Sequence, residues 1–197
     1  YTTITQIQNI MSNARDYLLK VPFRQYSIPN WEENKKKILD TLPINSYTDF
    51  YENKKKGIPH YIDVVGQAID EAMLDFKNIY PPGVMITSMW YERSKKGDYH
   101  GPHNHGATGF SAILYVEYDG AIHEPTKFHA PFLDAATGEN MKFQPIVREG
   151  DLLVFPSYIL HEAPINNSDV DRTIVSFNIM GEDVARAWKS GFSNAKQ

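Results

Sequence analysis

The sequence predicts an α+β fold that is mainly β, with helices first and a sandwich, barrel or jelly-roll after them. Two changes of texture carry this. Upstream of Gly83, apolar residues recur every three or four positions and the stretches stop at prolines; downstream, β-branched and aromatic runs follow one another at short intervals, punctuated by Gly, Pro, Asn and Asp. No internal repeat or linker interrupts the 197 residues. The expected organisation is one domain over 1–197: a helical part at 1–82, a jelly-roll core at 83–180 and a tail at 181–197.

The elements follow in order. Between Thr5 and Lys20, Ile7, Ile10, Met11, Leu18 and Leu19 keep roughly helical spacing, and Pro22 ends the run. A second short helix starts at Asn30, a candidate N-cap, and runs to about Leu42 before Pro43. A third spans about Ile62 to Asn78, where Val64, Val65, Ala68, Ile69, Ala72, Met73 and Phe76 form one apolar stripe for the core. Strands are expected at Val84–Tyr91, Gly109–Tyr118, Lys127–Phe132, Asp151–Phe155 and Thr173–Met180, and a short helix at Asp183–Phe192. The basic runs Lys35–Lys37 and Lys54–Lys56 read as solvated surface.

Composition excludes several classes. The absence of cysteine removes thiolate zinc sites, iron–sulfur clusters, disulfides and cysteine nucleophiles, and mildly favours a reducing compartment. A net charge of −4 argues against general nucleic-acid binding. No apolar run reaches the roughly 18 residues that span a bilayer. The expected location is therefore cytoplasmic, with no membrane partner.

The chemistry is concentrated in Tyr99–His105, Tyr-His-Gly-Pro-His-Asn-His, which holds three of the seven histidines. On an extended strand His103 and His105 project to the same side. With His161, which follows Phe155-Pro156-Ser157, they form a pocket suited to a divalent metal. Arg172, eleven positions beyond His161, suits an anionic chelator, because its planar fork grips a carboxylate and keeps its charge. His60, His123 and His129 read as structural or exposed.

Met89-Trp90-Tyr91, Gly97–Tyr99 leading to Pro102–His105, Ser111–Val116, Glu149–Ser157, His161 and Arg172–Asn178 together resemble the Fe(II)/2-oxoglutarate-dependent dioxygenases. Within these, the chain is most similar to a small phage and marine-bacterial group, with features shared by prolyl hydroxylases. The resemblance implies a double-stranded β-helix (jelly-roll, cupin-like) with flanking N-terminal helices. It implies His103 and His161 as iron ligands, and Arg172, helped by Ser176, on the C5 carboxylate of 2-oxoglutarate. Tyr91 and Tyr115 would supply hydroxyls to that cosubstrate. The implied reaction is hydroxylation of an unidentified substrate, a protein side chain or small molecule, by molecular oxygen, with release of succinate and CO2. A phage protein of this kind would work in a bacterial host cytoplasm.

The sequence departs from the family's His-x-Asp/Glu motif, because the residue two beyond His103 is His105. With His105 as third ligand the donor set is neutral, and iron(II) plus dianionic 2-oxoglutarate sum to zero rather than −1. Glu117, Glu124 or Asp98 could instead supply a carboxylate, and a second register would use His100, His103 and His161. Two other readings are a three-histidine cupin-type dioxygenase that needs no 2-oxoglutarate, and a non-enzymatic β-sandwich binding module. Substrate contacts are expected from His123–Lys127, Asp134–Lys142 and the N-terminal helices.

Overall fold

The computed structural model describes residues 21–43, 46–79 and 83–186. The helix expected over Thr5–Lys20 lies outside them, as does the tail beyond 186, although 182–186 are helical. In chain order the elements are β1 (Arg24–Ser27), α1 (Trp31–Thr41), α2 (Phe50–Lys56), α3 (Ile62–Ile79), β2 (Val84–Ser94), β3 (His100–His103), β4 (Phe110–Glu117), β5 (Lys127–Leu133), β6 (Asn140–Phe143), β7 (Asp151–Pro156), β8 (Leu160–Ala163) and β9 (Arg172–Gly181). Among the described residues no helix is long and apolar enough to cross a membrane.

The strands form two antiparallel sheets, a major one in the order β1-β7-β4-β9-β2 and a minor one in the order β3-β8-β5-β6. Central strands of the major sheet are largely buried because both their faces are covered, with Ser111 of β4 and Arg172, Ser176 and Asn178 of β9 as polar interruptions. Every residue of β7, and Ser111 to Val116 of β4, is buried. One face packs on the helices: Val65, Ile69 and Phe76 of α3 cluster with Met89, Tyr91, Leu114, Leu152, Val175 and Phe177. Burial of each such large apolar side chain stabilises the fold by roughly 1.5–3 kcal/mol. The other face packs on the minor sheet through Ile113, Tyr115, Leu153, Phe155 and Ile174, which meet Phe128. Period-two alternation therefore divides β9 cleanly: 175, 177 and 179 face the helices, and 172, 174, 176 and 178 face the interior.

Two glycines set the strand starts. Gly150, at φ 80°, feeds β7, and a Cβ there would lie 2.8 Å from the Trp31 ring. Gly109, at φ 84°, feeds β4, and a Cβ there would lie 2.5 Å from the Ile179 carbonyl oxygen. The contact between Gly150 and Trp31 seats α1 on the sheet, and the half-buried Lys35–Glu149 pair at 2.8 Å reinforces it. That pair also corrects the reading of Lys35–Lys37 as solvated throughout. Lys36, Lys37 and Lys56 are exposed, in i,i+4 pairs worth about 0.3–0.5 kcal/mol each. Asn30 stands at the N-cap of α1 in the left-handed region and makes no side-chain cap bond.

Candidate metal centre

His103 and His161 are direct cross-strand partners in β3 and β8, so sheet pairing alone brings together two imidazoles from distant parts of the sequence. His105 lies two residues beyond the end of β3, in a loop whose backbone is held by the His105 N–H donating to the Ser157 carbonyl at 2.9 Å. One nitrogen from each ring falls within 4.8 Å of the others. His103 and His105 are half-buried and His161 is buried.

The tautomers follow from the partners. His103 Nδ1 lies 2.8 Å from the Gly101 carbonyl, and His161 Nδ1 lies 2.9 Å from the Ile159 carbonyl. A carbonyl only accepts, so each Nδ1 carries the proton and leaves the Nε2 lone pair for a metal. His105 Nδ1 lies 2.7 Å from Asn178 Oδ1 and 2.9 Å from Ser111 Oγ. The Asn178 amide is itself oriented, since its Nδ2 donates to Ser88 Oγ and its Oδ1 also accepts from Ser111 Oγ. Burial lowers the basicity of all three rings, and their mutual repulsion adds to it at His161, which is pushed down to about 3. All three are therefore neutral donors at neutral pH.

His100 is not a member of this set. Its ring stacks on His103 at 3.9 Å, and its Nδ1 points to Glu92 Oε1 at 3.2 Å, so the register of His100, His103 and His161 is not the one brought together. The carboxylates named as possible ligands also lie elsewhere. Glu117 binds Arg93 and Thr173, Asp98 caps the Lys95 N–H, and Glu124 is neither in the histidine cluster nor among the residues lining its cavity. The carboxylate that does line the site is Glu92, 6% exposed, which also accepts from Trp90 Nε1 at 3.1 Å. Burial would raise its carboxyl, but the hydrogen bonds and charge of His100, with Trp90 Nε1, hold it below the usual range.

Arg172 is buried on the same inward face as Asn178 and Ser176. It donates from Nη1 to the Glu124 carbonyl at 3.0 Å and from Nη2 to the Pro164 carbonyl at 3.1 Å, which leaves three of its five N–H donors. Ser176 sits between Trp90 and Ile113 in register. Tyr115 faces inward too, but its hydroxyl donates to Thr126 Oγ1 and accepts from the Thr126 N–H, so the hydroxyl is already engaged.

Tyr91 corrects the sequence expectation. It lies on the helix-facing side of β2, fully buried against Tyr61, with its hydroxyl donating to the Pro43 carbonyl at 2.7 Å. The reason is strand parity. In antiparallel pairing, Trp90, Glu92 and Ser94 lie opposite Ser176, Ile174 and Arg172, so Tyr91 must face the other way. That parity also gives the signal that could have found Glu92.

The cavity at the histidines has a volume of about 480 Å3. Its outer wall is the segment Tyr47–Tyr51 leading into α2, rather than His123–Lys127 or Asp134–Lys142; its inner wall is Trp90, Glu92 and Asn178. The remaining histidines are apart from it. His60 bonds the Thr41 carbonyl, His123 is buried against Val170 and Ser168, and His129 sits beside Glu162.

Residues 88–178 match the family model described as "Putative 2OG-Fe(II) oxygenase". No curated protein matches the chain. Among solved structures, AviO1 from Streptomyces viridochromogenes Tue57 is similar over 83% of this chain and 91% of its own, at 10% identity and a TM-score of 0.60. HygX from Streptomyces hygroscopicus, solved with iron, is similar over 92% and 88%, at 14% identity and a TM-score of 0.56. The viral collagen prolyl hydroxylase of Paramecium Bursaria Chlorella virus-1, solved with 2-oxoglutarate, is similar over 80% and 94%, at 13% identity and a TM-score of 0.53. At these identities the structural likeness establishes a shared double-stranded β-helix fold.

Proposed function

We propose that the chain is a 2OG-Fe(II) oxygenase, as the family match over residues 88–178 supports, and that it hydroxylates a substrate held in the cavity beside His103, His105 and His161, releasing succinate and CO2. The observation that carries this is the set of three neutral imidazoles whose Nδ1 protons are committed, with a buried arginine on the same interior face. These residues fit the family's two cofactors. The imidazoles offer iron(II) three nitrogen donors, a neutral set in place of two histidines and a carboxylate. Arg172 offers a buried, permanently charged fork for a carboxylate, and Ser176 lies on the same face four residues along β9. When bound, iron and 2-oxoglutarate supply the oxidising chemistry.

The protein's own part is orientation and exclusion. Asn178 and Ser111 fix the His105 ring, the Gly101 and Ile159 carbonyls fix the other two, and the Glu124 and Pro164 carbonyls aim the guanidinium. Phe155, edge-on to the His161 ring at 4.8 Å, backs that ring with the apolar cluster that also holds Ile113 and Ile174.

Anaerobic titration of the iron(II)-loaded protein with 2-oxoglutarate tests this reading. The expected result is a saturable visible charge-transfer band, abolished by His103→Ala and His161→Ala and weakened by Arg172→Ala. Stoichiometric iron without a band would reject 2-oxoglutarate and favour a three-histidine dioxygenase that binds its substrate directly. His105→Ala decides whether the third ligand is histidine.

A further inference from the structure

We propose that the cavity beside the three histidines takes a substrate bearing a cationic nitrogen, an amine or guanidinium, seated on the Glu92 carboxylate between aromatic walls. The inference rests on the oxygenase reading of the same cavity and narrows its substrate class. Its walls are Tyr47, Phe50, Tyr51 and Trp90; Glu92 is the one carboxylate among the lining residues, and they include no lysine or arginine.

Glu92 is buried, so its oxygens need donors. Oε1 has two, Trp90 Nε1 at 3.1 Å and His100 Nδ1 at 3.2 Å. Oε2 has only the long 3.4 Å contact to that same His100 nitrogen, and so keeps acceptor capacity in a residue that lines the cavity. A phosphate or carboxylate in the cavity would set like charge against Glu92, whose charge only the single His100 imidazole offsets, since the lining holds no lysine or arginine. A wholly apolar substrate would strip water from Oε2 and give nothing back.

An ammonium or guanidinium satisfies that oxygen and is attracted by ring faces as well. The walls are placed for this. Phe50 packs edge-on to Trp90 at 5.1 Å and to Tyr51 at 5.3 Å, and Tyr51, 72% exposed, stands at the rim. Glu92 contacts His100, whose ring stacks on His103 at 3.9 Å, and Trp90 lies 5.4 Å from the ring of His105, so a nitrogen held at Glu92 shares the cavity with the metal donors. The oxidised carbon is then one near that nitrogen.

The test measures calorimetric binding of four probes to the full chain: the Nα-acetyl amides of lysine, arginine, norleucine and glutamate. The 2-oxoglutarate band is followed in parallel. At least one cationic probe is expected to bind about tenfold or more tighter than the norleucine probe. Glu92→Gln should erase that preference and keep the band, and Tyr51→Ala should weaken the cationic probe about threefold. Equal or better binding of the norleucine or glutamate probe overturns the inference. So does a failure of both cationic probes to saturate, or a preference that survives Glu92→Gln. Loss of the band in Glu92→Gln would assign that carboxylate to the metal site and also overturn the inference, while the oxygenase reading stands. A wild-type chain without the band rejects that reading instead, and the same probes on the metal-free chain still decide whether the cavity prefers a cation.

Discussion

The two faces of the major sheet carry different kinds of order, although the same strands supply both. On the helix side, Met89, Tyr91, Val175 and Phe177 join one apolar cluster, where a side chain is placed by volume and the lone hydroxyl of Tyr91 finds carbonyl partners. On the interior side, Trp90, Glu92, Arg172, Ser176 and Asn178 are polar groups or bear polar handles, and most are placed by hydrogen bonds with a stated direction. The helix face supplies stability to which many residues contribute a little. The interior face supplies orientation, which a single deletion can destroy.

Substitutions on the two faces should therefore separate stability from cofactor binding. The largest effect is expected from His161→Ala, which removes a donor and should abolish tight iron binding, read by metal analysis after gel filtration. Asn178→Ala leaves all three imidazoles in place but removes one of the two partners that fix the His105 ring. It should cost about 10–100-fold in iron affinity with little change in far-UV circular dichroism. Tyr91→Phe probes the other face: it leaves the Pro43 carbonyl short of a donor and should cost about 1–3 kcal/mol in denaturant unfolding, with the 2-oxoglutarate band unchanged. A weaker band in Tyr91→Phe would break the division between the faces.

The smallest effect is on the metal-free protein as pH falls. The triad is buried neutral, with basicities below the ordinary histidine value, so the unfolded chain binds more protons between that value and the folded ones. The stability contribution is thus complete above about pH 6.5 and is lost on acidification. Unfolding of the apoprotein at pH 5 should be easier by on the order of 1–2 kcal/mol than at pH 7, and the difference should shrink with metal bound.

How much of this was legible in the sequence depended on burial. β4, β7 and β9 are covered on both faces, so their apolar runs announced them, and α3 showed its stripe. β1, β3 and β6 lie at sheet edges or on exposed hairpins, where short polar segments such as His-Gly-Pro-His suffice and a proline is tolerated. α2, Phe50–Lys56, buries none of its residues, so its sequence shows only a basic run. At the site, His103, His105, His161 and Arg172 stood out by residue type and order. Glu92 and Asn178 did not, because their importance lies in which face they occupy, and that is fixed by pairing with strands far away in sequence. The expectation for Tyr91 fails for the same reason, by one step of strand parity.

The pairing of His103 with His161 has a mechanical consequence. The two strands are separated by roughly sixty residues of chain, which include β4 to β7, and each belongs to a short stretch of the minor sheet with few apolar anchors. A metal shared by their imidazoles closes that long loop as a reversible cross-link, so loading should act on the opening of β3 and β8 well before it acts on the major sheet. At a free metal concentration one hundred times Kd the folded state gains about 2.7 kcal/mol. Amide exchange in β3 and β8 should slow first, which would make the protein's loading state readable from the local rigidity of one small sheet.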